Sequence, residues 1–132
     1  MVTSFVTDTH SLIWYLTNDS RLSKVAKETF QRTDESLGNA FIPCIVFVEI
    51  LYLIEKKKIA VDFNSFISKV ALSQNYKVEP LCMPVIENVA RISRKHVKDP
   101  SDRIIAATSM HLKLPLITRD RKLRKIGLNV IW

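Results

Sequence analysis

Two rhythms of apolar and polar positions divide this chain. Residues 2–7, VTSFVT, are rich in β-branched and aromatic side chains, the composition of a strand. Apolar residues then recur at helical spacing over about residues 9–16 and again over 23–32. A turn at 36–39 leads into a short strand at 40–42, and Pro43 suits the first turn of the helix that follows. That helix runs to about residue 57 and finishes in Lys56, Lys57 and Lys58, cations placed against its negative end. An amphipathic helix over 63–73, a strand over 76–81 and a helix opened by Pro84 and reaching about 94 come next. Asp99 is a natural N-cap, with Pro100 as first helical residue and apolar turns through 111. The chain closes with a strand at 114–118, a basic turn with a short helix near Leu123, Gly127, and a last strand at 129–131.

Strands that alternate with helices, and are themselves almost continuously apolar, imply a parallel sheet covered on both faces. The expected architecture is therefore α/β, doubly wound, in three layers around a central parallel sheet of about five strands. A chain of 132 residues with 47% hydrophobic content can build one such domain, 1–132, and is too short for two. With 25% charged residues and few glycines or prolines, the composition is neither disordered nor fibrous.

Cys44 and Cys82 lie among apolar neighbours with no metal-type spacing between them. Reduced, buried thiols are expected, which favours a cytoplasmic protein. The opening MVTSFVTDTH lacks the basic and apolar segments of a signal peptide. One window, residues 36–54 (SLGNAFIPCIVFVEILYLI), is apolar enough to suggest a membrane span. It contains Pro43 and a central Glu49, however, and a central acid is costly in a bilayer. A strand broken into a buried helix fits better, so no membrane association is expected.

The net charge of +7 changes the picture of partners. Basic residues gather at 56–58, at Arg91, Arg94, Lys95 and Lys98, and at Arg119, Arg121, Lys122, Arg124 and Lys125. Such a field attracts polyanions and speeds their encounter. A solvated surface explains any one cluster equally well; a polyanion gains meaning only beside an active site.

Four acids supply that site. In open parallel sheets, functional sites form beyond the carboxyl ends of the strands, where the winding reverses. Asp8 follows the first strand (SFVTD), and Asp120 follows the strand in PLITRD. Asp102 starts the helix that feeds the second of these strands, so it too begins near that edge. Glu49 is the only charge in CIVFVEILYLI, a segment apolar around nearly its whole circumference and so expected to be buried. A buried carboxylate needs a partner or a raised pKa. An ion pair with one of the many basic residues would satisfy Glu49 alone; only a cation would let it sit beside three more acids. Capping competes with function here. Asp99 is explained as an N-cap, whereas Asp102 is left over once the cap is supplied. Gathered carboxylates repel one another, and Mg²⁺, or Mn²⁺, is the usual remedy, with oxygen ligands and retained waters. Such a metal activates water and steadies displacement at phosphorus. Thr118, in TRD, is placed to orient Asp120 or a metal-bound water.

At these residues the chain resembles the PIN-domain proteins, specifically the VapC-like toxins of type II toxin–antitoxin systems. The resemblance rests on VTDTHSLIWYL, VFVEILYL, DPSDRIIAAT and LPLITRD, and covers essentially the whole chain. No single piece is specific; their order and spacing together are. It implies a PIN-like α/β/α fold and a metal-dependent endoribonuclease cutting single-stranded or loop RNA. It carries catalytic and metal roles onto Asp8, Glu49, Asp102 and Asp120, and a peripheral one onto Asp99. It also implies a frequent homodimer and a cognate antitoxin that lays a C-terminal segment over the active-site groove. His10, following Asp8 in DTH, is a candidate for touching substrate or ordering Asp8, with a structural role as its alternative. Arg103, Arg119 and Arg121 are the expected phosphate contacts. With few exposed aromatics evident, RNA shape rather than single bases is the expected readout.

Phosphoryl transfer through an aspartyl intermediate also uses an acid after a first strand. The second acid it needs two positions later is here His10, and the paired acid of receiver domains is missing. A non-catalytic RNA- or protein-binding module on the same fold is the remaining alternative.

Overall fold

The computed structural model describes residues 3–132; Val2, expected to open the first strand, lies outside them. The chain forms β1 (Ser4–Thr7), α1 (Thr9–Leu16), α2 (Lys24–Asp34), β2 (Asn39–Pro43), α3 (Cys44–Glu55), α4 (Phe63–Leu72) and β3 (Tyr76–Glu79). It continues through α5 (Met83–Arg91), α6 (Pro100–Leu112), β4 (Leu116–Ile117), a 3₁₀ segment (Arg121–Ile126) and β5 (Val130–Ile131). Side-chain caps start four of the helices: Asp8, Ser23, Asp62 and Asp99 accept the backbone N–H of Ser11, Ala26, Ser65 and Asp102.

The strands make one parallel sheet in the order β3-β2-β1-β4-β5, the centre of the expected three-layer α/β/α arrangement. β1 is central. The chain winds outward from it to β2 and β3, then returns over the sheet through α5 and α6 to β4 on its other side. The reversal therefore falls at the carboxyl end of β1. Register places Val6 opposite Phe41 on one side and Leu116 on the other. Gly38 is required just ahead of β2, because a Cβ there would stand 2.2 Å from the Thr3 carbonyl oxygen. Asn39 N–H donates to that same oxygen at 2.6 Å, which sets the β1–β2 register.

The core is apolar and closed: Val6, Ile42, Val46, Ile50, Leu116 and Ile117 have no solvent exposure. Phe5 and Phe30 meet edge to face, with Tyr15 stacked on Phe30 at 4.6 Å. Each such side chain contributes about 1.5–3 kcal/mol of burial.

Three sequence expectations need correction. α3 is not buried all round. Only Val46 and Ile50 are, one helical turn apart, while Val48 and Tyr52 are 44% and 58% exposed. An all-apolar helix has more hydrophobic surface than its neighbours α1, α4, α6 and β2 cover. Cys44 and Cys82 are free, as expected, but half-buried rather than buried. α5 also stops three residues early, at Arg91. The Arg103 guanidinium explains where: its NH2 donates to the carbonyls of Val89 and Ile92 at 2.8 and 2.9 Å, capping the end of the helix.

Candidate active site

β1 and β4 are parallel neighbours with Thr7 opposite Ile117, so the residues following each strand leave the sheet at one edge. Asp8 N–H donates to the Ile117 carbonyl at 3.1 Å, fastening the start of α1 to that edge. Asp8 then turns the chain into α1, its Oδ1 accepting the Ser11 N–H at 2.9 Å. Asp120 does the same for the 3₁₀ segment, its Oδ1 accepting the Lys122 N–H at 3.0 Å. The buried Thr118 hydroxyl accepts the Asp120 N–H at 3.1 Å and fixes the approach to that acid. Asp102 enters from α6, one turn below the cap that Asp99 supplies by accepting its N–H at 3.1 Å.

These side chains surround a cavity of about 190 Å³ at the sheet's reversal point. Asp8, Asp102 and Asp120 line it together with His10, Thr118 and Arg119. Its floor is apolar, formed by Ile105, Leu116 and Leu123, with Trp14 as one wall. Glu49, half-buried on α3, does not line the cavity; its Oε1 accepts a hydrogen bond from the buried Thr9 hydroxyl.

Electrostatics show that the acids share one field. The Asp102 carboxyl is pushed up to about 6, first by the protein mass over the apolar floor, then by the negative charges of Asp99, Glu49, Asp8 and Asp120. Asp102 remains open to solvent at the rim, so both burial and accessibility hold: one side of the carboxyl faces protein, the other water. Among the described residues the ion pairs are Arg21–Asp19 and Lys24–Glu28, and neither involves these five acids. Glu49, for which a buried pairing with a basic residue was an alternative, has a threonine as its partner.

Among the described residues, no three carboxylate, imidazole or thiol groups stand close enough to enclose an ion by themselves. The donor set nevertheless fits a hydrated hard cation. Its acids are oxygen donors, carry negative charge without a lysine or arginine ion pair, and open to solvent through a cavity large enough for water between ion and protein. Thiolate and imidazole ligands, which would favour softer metals, do not contribute beyond His10.

The other expected site residues divide. His10 and Arg119 face the cavity, while Arg121 is exposed on the 3₁₀ segment beside it. Arg103 is the exception. Its Nη2 is taken by the α5 carbonyls and the side chain does not line the cavity, an arrangement the sequence could not reveal because both acceptors are main-chain atoms 11 and 14 residues away. Sequence reading also missed Thr9 and Trp14. Thr9 reaches Glu49 across 40 residues, a pairing with no local signal. Trp14 had one: it lies four residues after His10, the helical spacing that brings two side chains together.

Comparisons with known proteins agree with this fold. A PIN domain matches residues 5–128. Ribonuclease VapC22 of Mycobacterium tuberculosis (strain ATCC 25618 / H37Rv) is 26% identical over 125 residues, which cover 93% of this chain and 92% of that protein. Among solved structures, VapBC2 from Rickettsia felis, bound to a DNA fragment from its promoter, superposes with a TM-score of 0.68 at 13% identity, covering 97% of each chain. DNA-bound VapBC from Salmonella typhimurium gives 0.68 at 19% identity, covering 98% of this chain and 97% of that one. At these identities the structural likeness speaks for the fold.

Proposed function

The chain belongs to the PIN-domain family, and from that premise we propose that it is a metal-dependent endoribonuclease, the toxin component of a type II toxin–antitoxin pair. One observation carries the reading: four acids from four separate elements act on one cavity at the sheet's reversal point, and none is neutralised by a lysine or arginine. A folded protein retains such repulsion where a bound cation offsets it.

In this reading Asp8 and Asp120 hold Mg²⁺ or Mn²⁺ directly or nearly so, and Asp102 and Glu49 complete the site. The ion would supply water activation and charge neutralisation at the scissile phosphate. The chain's own residues do the rest. Ser11 N–H and Lys122 N–H each engage one oxygen of Asp8 and Asp120, which fixes the carboxylate planes and leaves the second oxygen for the cavity. The Thr9 hydroxyl holds Glu49 so that its charge acts on the same point. Asp102, which lines the cavity, would hold the attacking water and accept its proton, while Glu49 adds its charge to the same field. Arg119 and Arg121, with Lys122 beside them, offset the phosphate charges of bound RNA.

A cognate antitoxin would occupy the groove over this cavity, and a homodimer would cover apolar surface that a single chain leaves open. Val48 and Tyr52 on α3, and Met83 and Ile86 on α5, are exposed and support a protein-covered surface. No helix among the described residues is long and apolar enough to cross a membrane, and a cytoplasmic site of action fits an RNA substrate. The test is cleavage of RNA by purified protein in Mg²⁺, in Mn²⁺ and after chelation, beside Asp8→Asn. Cleavage that needs the ion and is abolished in the variant is expected; cleavage indifferent to both would remove the proposed chemistry.

A further inference from the structure

One wall of the cavity is aromatic and cationic. Trp14 is only 7% exposed, so its indole is too enclosed to receive a ligand on its face. It works instead as a brace. The His10 ring leans on it at 5.9 Å between centroids and a 53° tilt, the Arg119 guanidinium lies 6.0 Å from its centroid, and Trp132 closes on it edge to face at 6.0 Å. Arg21 also lies over the indole, 5.0 Å away, but Asp19 grips it with two hydrogen bonds of 3.1 and 2.8 Å. Arg21 is therefore committed. His10 and Arg119 are not: both are exposed, both line the cavity beside Asp8 and Asp120, and neither side chain has a hydrogen bond or ion pair among the described residues.

Two flat π groups fixed by a common indole, open to the cavity and without polar partners, are complementary to a third flat ring. We propose that His10, assisted by Arg119, is a stacking platform for one unpaired nucleobase adjoining the phosphate to be cut. The inference rests on the ribonuclease reading and assigns the residue that meets the base. A base still paired in a duplex is stacked on its neighbours and cannot reach the platform, so the RNA must be single-stranded or flipped at this position. Every base has a π face, so the platform selects for an unpaired base rather than for its identity. Trp14 is a positioning residue, acting through His10 and Arg119. This keeps the expectation that single bases are not read, and adds a stacking group where few were expected. That expectation followed from counting aromatic residues, and a histidine is not counted as one.

The test uses single-stranded RNA oligonucleotides that the protein cuts, each compared with copies carrying an abasic nucleotide on one side or the other of the cut bond. In the wild-type protein, removing the base at one of these two positions lowers kcat/KM about tenfold, the scale of one lost stack. His10→Ala lowers cleavage of intact RNA by a similar factor and no longer distinguishes intact from abasic RNA, so the two losses do not add. His10→Phe restores the distinction, which a merely structural role for His10 would not do. A 2-aminopurine at the sensitive position is quenched on binding in the wild-type and His10→Phe proteins and not in His10→Ala. Wild-type cleavage equally fast on abasic RNA at both positions, or undiminished discrimination by His10→Ala, overturns the platform and leaves the ribonuclease reading standing. Absence of any cleavage by the wild-type protein overturns both.

Discussion

Replacing Asp102 with asparagine should stabilise the metal-free protein at neutral pH, although it removes a charge from a site built of charges. Folding lifts this carboxyl from 3.8 to about 6. In the unfolded chain it ionises freely from 3.8 upward; in the folded protein it resists until about 6. A folded-state pKa above the unfolded value means that stability is greatest below 3.8, declines as pH rises between the two values, and is fully lost to ionisation above 6. Converted directly, that displacement is worth about 3 kcal/mol. The carboxyl stands at a solvent-open rim, so screening reduces it to roughly 1–1.5 kcal/mol. Losing a favourable acid in the first turn of α6 opposes this by about 0.5 kcal/mol. The net expectation is a gain of about 0.5–1 kcal/mol for Asp102→Asn at pH 8, read from urea midpoints in EDTA. The gain should shrink as pH falls through 6 towards 4. Adding Mg²⁺ should reverse the order, because bound ion stabilises the wild-type fold by mass action and the variant has lost part of its site. A variant no more stable than wild type at pH 8 in EDTA, or a difference that widens on acidification, would refute the shared-field account of the four acids.

Thr9→Val keeps the shape of the side chain and withdraws the donor to Glu49. It should cost about 1–2 kcal/mol in stability and lower metal-dependent cleavage roughly tenfold, measured by denaturation and single-turnover kinetics. Arg103→Met should destabilise by about 2 kcal/mol, because two carbonyls at the end of α5 lose a charged donor, yet leave RNA affinity unchanged in fluorescence anisotropy. Arg121→Ala should do the converse, leaving the urea midpoint alone while weakening RNA binding across sequences. The slope of log affinity against log salt should fall by about 0.7.

The sheet was legible because its strands are short apolar runs punctuated by Pro43, Asp99–Pro100 and Gly127, signals that act within a few residues. Strand order was not read beyond the parallel arrangement, since pairing partners such as Thr7 and Ile117 lie more than a hundred residues apart. The acids at strand ends were legible for the same local reason, and the parallel-sheet rule placed them at one edge. What the sequence hid were commitments made across the fold: Thr9 to Glu49 and Arg103 to main-chain carbonyls. Basic residues are interchangeable in a charge count, and only geometry separates a helix cap from a phosphate contact. The burial of α3 misled for a different reason. Periodicity shows that a surface is apolar, and cannot say whether the chain itself or another molecule covers it.

Capping and chemistry at first look like rival explanations for an acid at the end of an element. Here the first makes the second possible. Asp8 and Asp120 each give one oxygen, Oδ1, to the backbone N–H of the turn they start. That bond costs the site one acceptor from each acid, but it fixes two side chains that would otherwise sample several rotamers on an open rim. The second oxygens are thereby left to the cavity from rigid starting points, one beyond the end of each of two adjacent parallel strands. Asp99 takes the cap of α6 onto itself by accepting the Asp102 N–H, which leaves the whole Asp102 carboxylate unspent. The acid that caps nothing is also one whose ionisation is opposed, first by burial and then by the surrounding charges. A divalent ion entering this cavity would therefore meet two pre-aimed oxygens and one carboxylate whose charge it relieves, and binding would draw on the repulsion already stored in the empty fold.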